Sequence, residues 1–177
     1  MGLIELLVYS MLMLVVLGVV GGFLVVLLNV QREVVNTSSA AASSQLVANT
    51  VETGIRNATA FNLTTQNTSD QMLVARSADS GETIRWVCVA WYYSTAGTGS
   101  VRYLRSTGPI GVPNAGELSS WTLLGDGISP TLGAGIFSVT GTRLSLNFSE
   151  HVAGDPPVTI STMVSPRGGS WKGEPCF

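Results

Sequence analysis

The 177-residue chain is 45% hydrophobic, has a mean hydropathy of +0.36 and contains only 11% charged residues, whereas a typical soluble domain contains about 25%. Its length leaves room for one domain and an appendage. The net charge is −2, Lys172 is the only lysine and the arginines are scattered, so the sequence predicts no basic surface for direct nucleic-acid binding.

The N-terminal segment accounts for the apolar excess. Residues 6–28 carry no charge and would measure about 34 Å as an α-helix, which is enough to cross a bilayer. A secretory signal peptide has a shorter apolar run that is closed by a small-residue cleavage site and polar sequence. No such site follows this run, so the segment favours a membrane-spanning helix.

The same helix is predicted to continue to about residue 56. No proline or turn cluster interrupts the chain after Val30, and small or apolar residues recur at positions 34, 41, 48 and 55, which share one face of a helix. We therefore divide the chain into an apolar transmembrane helix (1–30), its amphipathic continuation (31–56) and a globular β-sheet head (57–177).

The head shows the period-two alternation of β-strands. Strands are predicted over 71–77, 83–94, 100–106, 142–150 and 157–165, the second after a turn at 79–81. Residues 57–70 are predicted as a loop, and the Gly- and Pro-rich residues 107–134 as an extended surface loop with at most a short strand around 121–124. In the strand near residue 146, Leu144, Leu146 and Phe148 share one face, as in a sheet that packs on a helix. The sequence therefore predicts an α+β fold, with the long helix packed against an antiparallel sheet.

The two cysteines, Cys88 and Cys176, both lie beyond the apolar segment. They fit one disulfide in an oxidising compartment that ties down the C-terminal tail. Two unrelated buried thiols are the alternative.

Glu5 is the anomaly of the N-terminal helix. A carboxylate in a bilayer core costs about 2.5 to 3.5 kcal/mol or more on insertion scales. The nearest basic side chain within the chain is Arg32, about 40 Å away along a helix. The partner of Glu5 must therefore be the chain's own amino terminus or lie on another molecule.

The segment MGLIELLVYSMLMLVVLG resembles the processed N-terminus of type IV pilins and type II secretion pseudopilins. The resemblance implies that Met1 is the N-methylated first residue left by a prepilin peptidase, and that Glu5 pairs with the amino group of an adjacent subunit. It further implies a homo-oligomeric helical filament at the cell surface, built by pilus assembly machinery from subunits stored in the cytoplasmic membrane.

This chain departs from the family at Gly2, where threonine is common, and it has no proline near position 22. Gly18, Gly21 and Gly22 stand there instead, and each glycine costs about 1 kcal/mol in a helix relative to alanine. We predict that this stretch loses helical structure in the filament. A packing face formed by the Gly18-x-x-x-Gly22 motif is the alternative.

Other chemistry-bearing residues predict no catalytic or metal site. His151 lies beside Glu150 and near Asp155 in a polar loop, and Asp126 lacks the spacing of a calcium loop. The aromatic residues Trp86, Trp91, Tyr92 and Tyr93 are expected to pack in the core on one side of a strand and against other subunits on its other side. Asn-x-Ser/Thr motifs occur at positions 36, 57, 62, 67 and 147. Such motifs are expected by chance in a Ser/Thr-rich chain, so they do not by themselves indicate glycosylation.

The sequence thus predicts a structural subunit that needs no cofactor and is not an enzyme. It does not separate a major pilin from a minor pilin or a pseudopilin. A membrane-anchored extracellular domain that binds or cleaves a ligand is the hypothesis from a different class.

Overall fold

The computed structural model describes residues 2–66, 69–79, 85–133, 135–151, 156–167 and 176. Three residues named above lie outside the described residues: Met1, Asp155 and Lys172. The last two residues of the turn expected at 79–81 also lie outside them. The helices are α1 (Leu3–Arg56) and α2 (Ala115–Leu118), and the strands are β1 (Ala58–Thr65), β2 (Gln71–Asp79), β3 (Arg85–Ser94), β4 (Ser100–Ser106), β5 (Thr122–Asp126), β6 (Ile128–Pro130), β7 (Phe137–Thr140), β8 (Arg143–Glu150) and β9 (Val158–Val164). The chain divides into two compact units, Met1–Ser38 and Ser39–Phe177. The functional boundaries drawn after residues 30 and 56 stay predictions.

Helix α1 ends at Arg56, where the sequence predicted its end. The last helical turn closes with a hydrogen bond from the Asn57 amide to the Thr53 carbonyl (3.1 Å). Arg56 also forms an i,i+4 ion pair of 3.0 Å with Glu52, and its positive charge at the helix C-terminus is favourable for the helix dipole. Strand β1 follows immediately, so no long connection separates the helix from the sheet.

Two antiparallel sheets make up the strand region. The larger sheet has the order β1-β2-β3-β4-β5, and each strand pairs with the next one in the chain. In the smaller sheet β8 is central: β9 pairs along one edge of β8, and β6 and β7 pair with its two halves along the other edge. In the larger sheet, the short connections between successive strands allow strands that are adjacent in sequence to pair.

The main core lies between the sheets and the part of α1 that belongs to the second unit. Its fully buried side chains are Val47, Val51, Ile55, Leu73, Trp91, Val101, Ile128, Ile136, Leu144, Leu146 and Phe148. Complete burial of one such aliphatic or aromatic side chain contributes about 1.5 to 3 kcal/mol. The predicted α+β arrangement is therefore confirmed, and so is the shared inward face of the three apolar residues of β8.

A second buried cluster covers the opposite face of the larger sheet. It consists of Met72, Val74, Cys88, Ala90, Tyr92, Ile110, Trp121 and Cys176. Tyr92 and Trp121 meet edge to face, with ring centroids 6.3 Å apart. The expectation that this side of β3 packs against other subunits is wrong at Tyr92, because residues of the same chain cover it. Trp86 is the member of the aromatic group that stays 43% exposed.

Two segments differ from the sequence-based expectation. Residues 58–65, predicted as a loop, form edge strand β1, because Phe61 and Leu63 pack against the core while the polar residues between and after them face outward. Residues 107–134, predicted as an extended surface loop with at most a short strand around 121–124, contain β5 near that place but also α2 and β6. This segment also buries Ile110 and Trp121, so one of its sides belongs to the core.

Candidate assembly site on the N-terminal helix

Glu5 lies in the first turn of α1, where its amide donates a 3.0 Å hydrogen bond to the Gly2 carbonyl. Its side chain is exposed, and so are those of Leu3, Ile4 and Leu6 beside it. Among the residues that the structure describes, no side chain hydrogen-bonds or pairs with the Glu5 carboxylate. A negative charge in apolar surroundings is costly without a partner. A positively charged group from outside the described residues could therefore pair with this carboxylate.

The rest of the first unit presents an apolar surface. Its most apolar 18-residue window has a mean hydropathy of 3.0 and no buried residue, so α1 is long and apolar enough to cross a membrane. The Ser10 hydroxyl donates to the Leu7 carbonyl at 2.9 Å, which satisfies it within the helix and suits an apolar environment. The surface from residue 3 to residue 30 thus needs either lipid or protein to cover it.

The three glycines of this segment are helical in the structure. A Cβ atom added at Gly18, Gly21 or Gly22 would meet nothing within 4 Å outside the helix's own neighbouring backbone. Within the described part of the chain, no packing therefore requires glycine at these positions. Loss of helix here in a filament stays a prediction, as does a glycine packing face between copies.

Cys88 and Cys176 form a disulfide, with an S–S distance of 2.03 Å. Both residues are buried in the second cluster, where the Ile110 amide also donates to the Cys176 carbonyl at 3.4 Å. The pairing is the one predicted from the sequence, and the alternative of two unrelated thiols is wrong. Cys176 is thereby tied to the face of the larger sheet that carries the second cluster.

The residues around His151 form a structural network. The exposed His151 has its Nε2 3.2 Å from the Ser149 hydroxyl, whereas Glu150 is buried and accepts hydrogen bonds from Ser43 and Ser44 on α1 (2.7 Å from Ser44). Among the described residues no three His, Cys, Asp or Glu side chains are close enough to hold a metal ion.

Sequence reasoning missed the contact between Glu150 and the two serines. A signal was available, because Glu150 has the same strand parity as the buried Leu144, Leu146 and Phe148. An acidic residue at an inward-facing strand position predicts a buried hydrogen-bond partner.

Comparisons with known proteins give no assignment: no protein-family model, no curated protein and no solved structure matches the chain. The resemblance to pilins therefore rests on the residues of the N-terminal segment alone. The structure adds the exposed apolar helix, a Glu5 carboxylate without a partner among the described residues, and the disulfide-bonded head.

Proposed function

We propose that this chain is the structural subunit of a type IV pilus-like filament and polymerises through α1. The observation that carries the proposal is the exposed Glu5 carboxylate, without a partner among the described residues, on a helix whose surface is apolar from residue 3 to residue 30. A helix that served only as a lipid anchor gains nothing from a charge at this position.

Pairing between subunits gives that charge a function. The Glu5 carboxylate of one subunit would pair with the Met1 amine of its neighbour, so that each charge offsets the desolvation of the other when the helices leave the membrane. The apolar side chains of the same helices would then cover one another, at about 25 cal/mol for each Å² of apolar surface buried. A prepilin peptidase would expose and methylate the Met1 amine, and separate assembly machinery would supply the energy.

The head supports the same role. Its disulfide fits an oxidising compartment outside the cytoplasmic membrane, and it buries two hydrophobic clusters within the chain. The cell-surface pilus is accordingly the proposed location of the assembled form.

A minor pilin or a type II secretion pseudopilin would use the same helix chemistry. The abundance of the subunit in sheared filaments distinguishes these cases from a major pilin.

Substitution of Glu5 separates a filament subunit from an anchored domain. We expect Glu5→Ala to leave the subunit in the membrane and to abolish its recovery in sheared surface filaments. Glu33→Ala is the matched control, because Glu33 is the next acidic residue of α1, is also exposed and follows the apolar run. Normal filament yield from Glu5→Ala would favour the anchored binding or cleaving domain.

Mass spectrometry of sheared filaments tests processing directly. The proposal requires an N-terminal peptide that begins with N-methylated Met1. A chain that is released only by detergent and begins with an unmethylated residue contradicts it.

A further inference from the structure

An open groove of about 440 Å³ lies within the second unit, between the last turns of α1 and the helix-facing side of the larger sheet. Its buried floor includes Val87, Val89 and Trp91, and its rim includes Asn57 at the end of α1 and Tyr103 and Arg105 on β4. Burial raises the pKa of Tyr103 against a smaller opposing effect of Arg105, so the Tyr103 hydroxyl stays protonated and can donate a hydrogen bond. An apolar floor with polar groups at its edge suits a ligand that has both kinds of surface.

Asn57 occupies the turn between α1 and β1. Its backbone is engaged, since its amide donates to the Thr53 carbonyl and its carbonyl accepts from the Ala78 amide at 3.5 Å. Its side chain is exposed and makes no hydrogen bond to any described residue. The amide nitrogen of Asn57 is thus available at the rim of the groove.

Asn57-Ala58-Thr59 is also an acceptor motif for N-linked glycosylation. Of the other motifs, Asn147 lies in the middle of β8, is half-buried and accepts a 2.7 Å hydrogen bond from Ser161. Asn36 lies within α1 and Asn62 within β1, and Asn67 lies outside the described residues. Among the described motifs, Asn57 alone combines a turn, an exposed amide and an adjacent groove.

We propose that Asn57 is the attachment site of an N-linked oligosaccharide whose first sugars lie over this groove. The donor is an oligosaccharide carried on a polyprenyl diphosphate outside the cytoplasmic membrane. The Asn57 Nδ2 atom forms a bond to the anomeric carbon of the sugar while the bond from that carbon to the phosphate oxygen breaks. The diphosphate leaves with the electron pair, and the amide proton goes to a base of the transferase.

The groove matches the first sugars of such a chain. The C–H groups of a pyranose ring can contact the floor at Val89 and Trp91, and its hydroxyls can bond to Tyr103 and Arg105 at the rim. The Thr59 hydroxyl of the motif makes only a long hydrogen bond of 3.5 Å, to the Arg76 carbonyl. A bond of this length holds the Thr59 hydroxyl only weakly.

Glycopeptide mass spectrometry of the full-length protein from its native host tests the attachment. We expect a glycan on the peptide that contains Asn57 and none on Asn147, which serves as the internal control. Thr59→Ser keeps the motif and should keep the glycan, whereas Thr59→Val has a similar shape but lacks the hydroxyl and should lose it. An unmodified Asn57 in the native protein overturns the proposal, whatever the state of the other motifs.

Hydrogen exchange tests the position of the sugars. In wild type, compared with Thr59→Val, the amides of residues 87–91 and 101–105 should exchange more slowly because the sugars cover them. Equal exchange in the glycosylated and unglycosylated proteins overturns the placement over the groove. Neither readout depends on filament formation, so the result is independent of the function proposed above.

Discussion

The indole of Trp91 packs against the α1 backbone at Gly54, where a Cβ atom would come within 2.3 Å of Trp91 Cη2. Trp91 is 1% exposed and lies on the central strand β3, opposite Leu73 on β2 and Tyr103 on β4. Glycine at position 54 therefore allows the helix to approach the widest side chain of the core. The helix and the larger sheet are thus in tight contact at this position.

We expect Gly54→Ala to destabilise the head by up to about 2 kcal/mol, because overpacking a core costs about 1 to 3 kcal/mol and the gain in helix propensity offsets about 1 kcal/mol of that cost. Urea unfolding of the detergent-solubilised chain, followed by tryptophan fluorescence, measures the change. Gly116→Ala in α2 is the matched control, since a Cβ at Gly116 would meet nothing within 4 Å. Equal stability of the two variants would show that the Trp91 contact is not restrictive.

The Glu150 carboxylate supports a second prediction. Glu150→Ala removes the acceptor of the completely buried Ser44 hydroxyl, whereas the Ser43 hydroxyl can still donate to the carbonyls of its own helix. A buried donor left without a partner costs about 1 to 3 kcal/mol, so the unfolding midpoint in urea should fall. Adding Ser44→Ala to Glu150→Ala should then cost less than Ser44→Ala costs in wild type. Additive effects of the two substitutions would contradict a direct contribution of this hydrogen bond.

The elements that were predictable from the sequence have strong local patterns. Helix α1 has no breaker before residue 57, and β4 and β8 alternate clearly between apolar and polar residues. The missed elements depend on long-range contacts. Edge strand β1 is mostly polar, and its strand conformation is selected by the packing of Phe61 and Leu63 and by pairing with β2.

Side-chain contacts between distant segments were the least predictable. Gln71 on β2 pairs with the backbone of Phe137 on β7 through two hydrogen bonds of 2.9 and 2.8 Å. These residues are 66 positions apart, and neither has a local motif that indicates the pairing. For the candidate site, the sequence indicated Glu5 and the glycines because charge and glycine are conspicuous in an apolar helix. The groove beside Asn57 is visible only after the helix and sheet are packed.

Tyr92 makes the stability of the head pH-dependent. Burial, together with a hydrogen bond to Asp70 and the charge of that carboxylate, raises the pKa of Tyr92 from 10.0 to about 12. Both folded and unfolded chains keep the proton below pH 10, and the unfolded chain loses it first as the pH rises. Tyr92 should therefore lower the free energy of unfolding between about pH 10 and 12, with a contribution of at most about 2 to 3 kcal/mol. Burial also raises the pKa values of Tyr93 and Tyr103, so these residues add to the decrease.

Urea titrations at intervals across this pH range measure the decrease. Tyr92→Phe should reduce it, because phenylalanine has no proton to lose. A decrease of the same size in Tyr92→Phe and wild type would assign the effect to other groups.

The disulfide should contribute strongly to the stability of the head. Cys88 and Cys176 are 88 residues apart, and closure of a loop of this length contributes about 4 to 5 kcal/mol in the chain-entropy model. We expect Cys88→Ser with Cys176→Ser to lower the unfolding midpoint and to increase proteolysis near Trp121, which packs in the same cluster. A reducing agent should destabilise wild type but not the double variant. If it affects both equally, the disulfide is not the cause.

Alanine substitutions at the three glycines distinguish their two interpretations in the proposed filament. A Cβ at each position meets nothing in the single chain, and alanine favours the helix by about 1 kcal/mol per site. Membrane levels of the subunit should therefore be unchanged by Gly18→Ala, Gly21→Ala or Gly22→Ala.

The two interpretations differ in filament yield. If the stretch must lose helical structure, each substitution opposes that change to a similar extent, and sheared filaments should decrease for all three variants. If Gly18 and Gly22 instead form a packing face between helices, these two variants should lose the most filaments. Gly21→Ala should lose fewer, because Gly21 lies about 100° around the helix from Gly22 and so stands at the edge of that face. We expect the first pattern, because three glycines within five residues weaken the helix more than a packing motif requires. A triple alanine variant with normal filament yield would contradict both interpretations. Such a result would mean that filament formation requires neither loss of helix at these glycines nor close packing of a neighbouring helix against them.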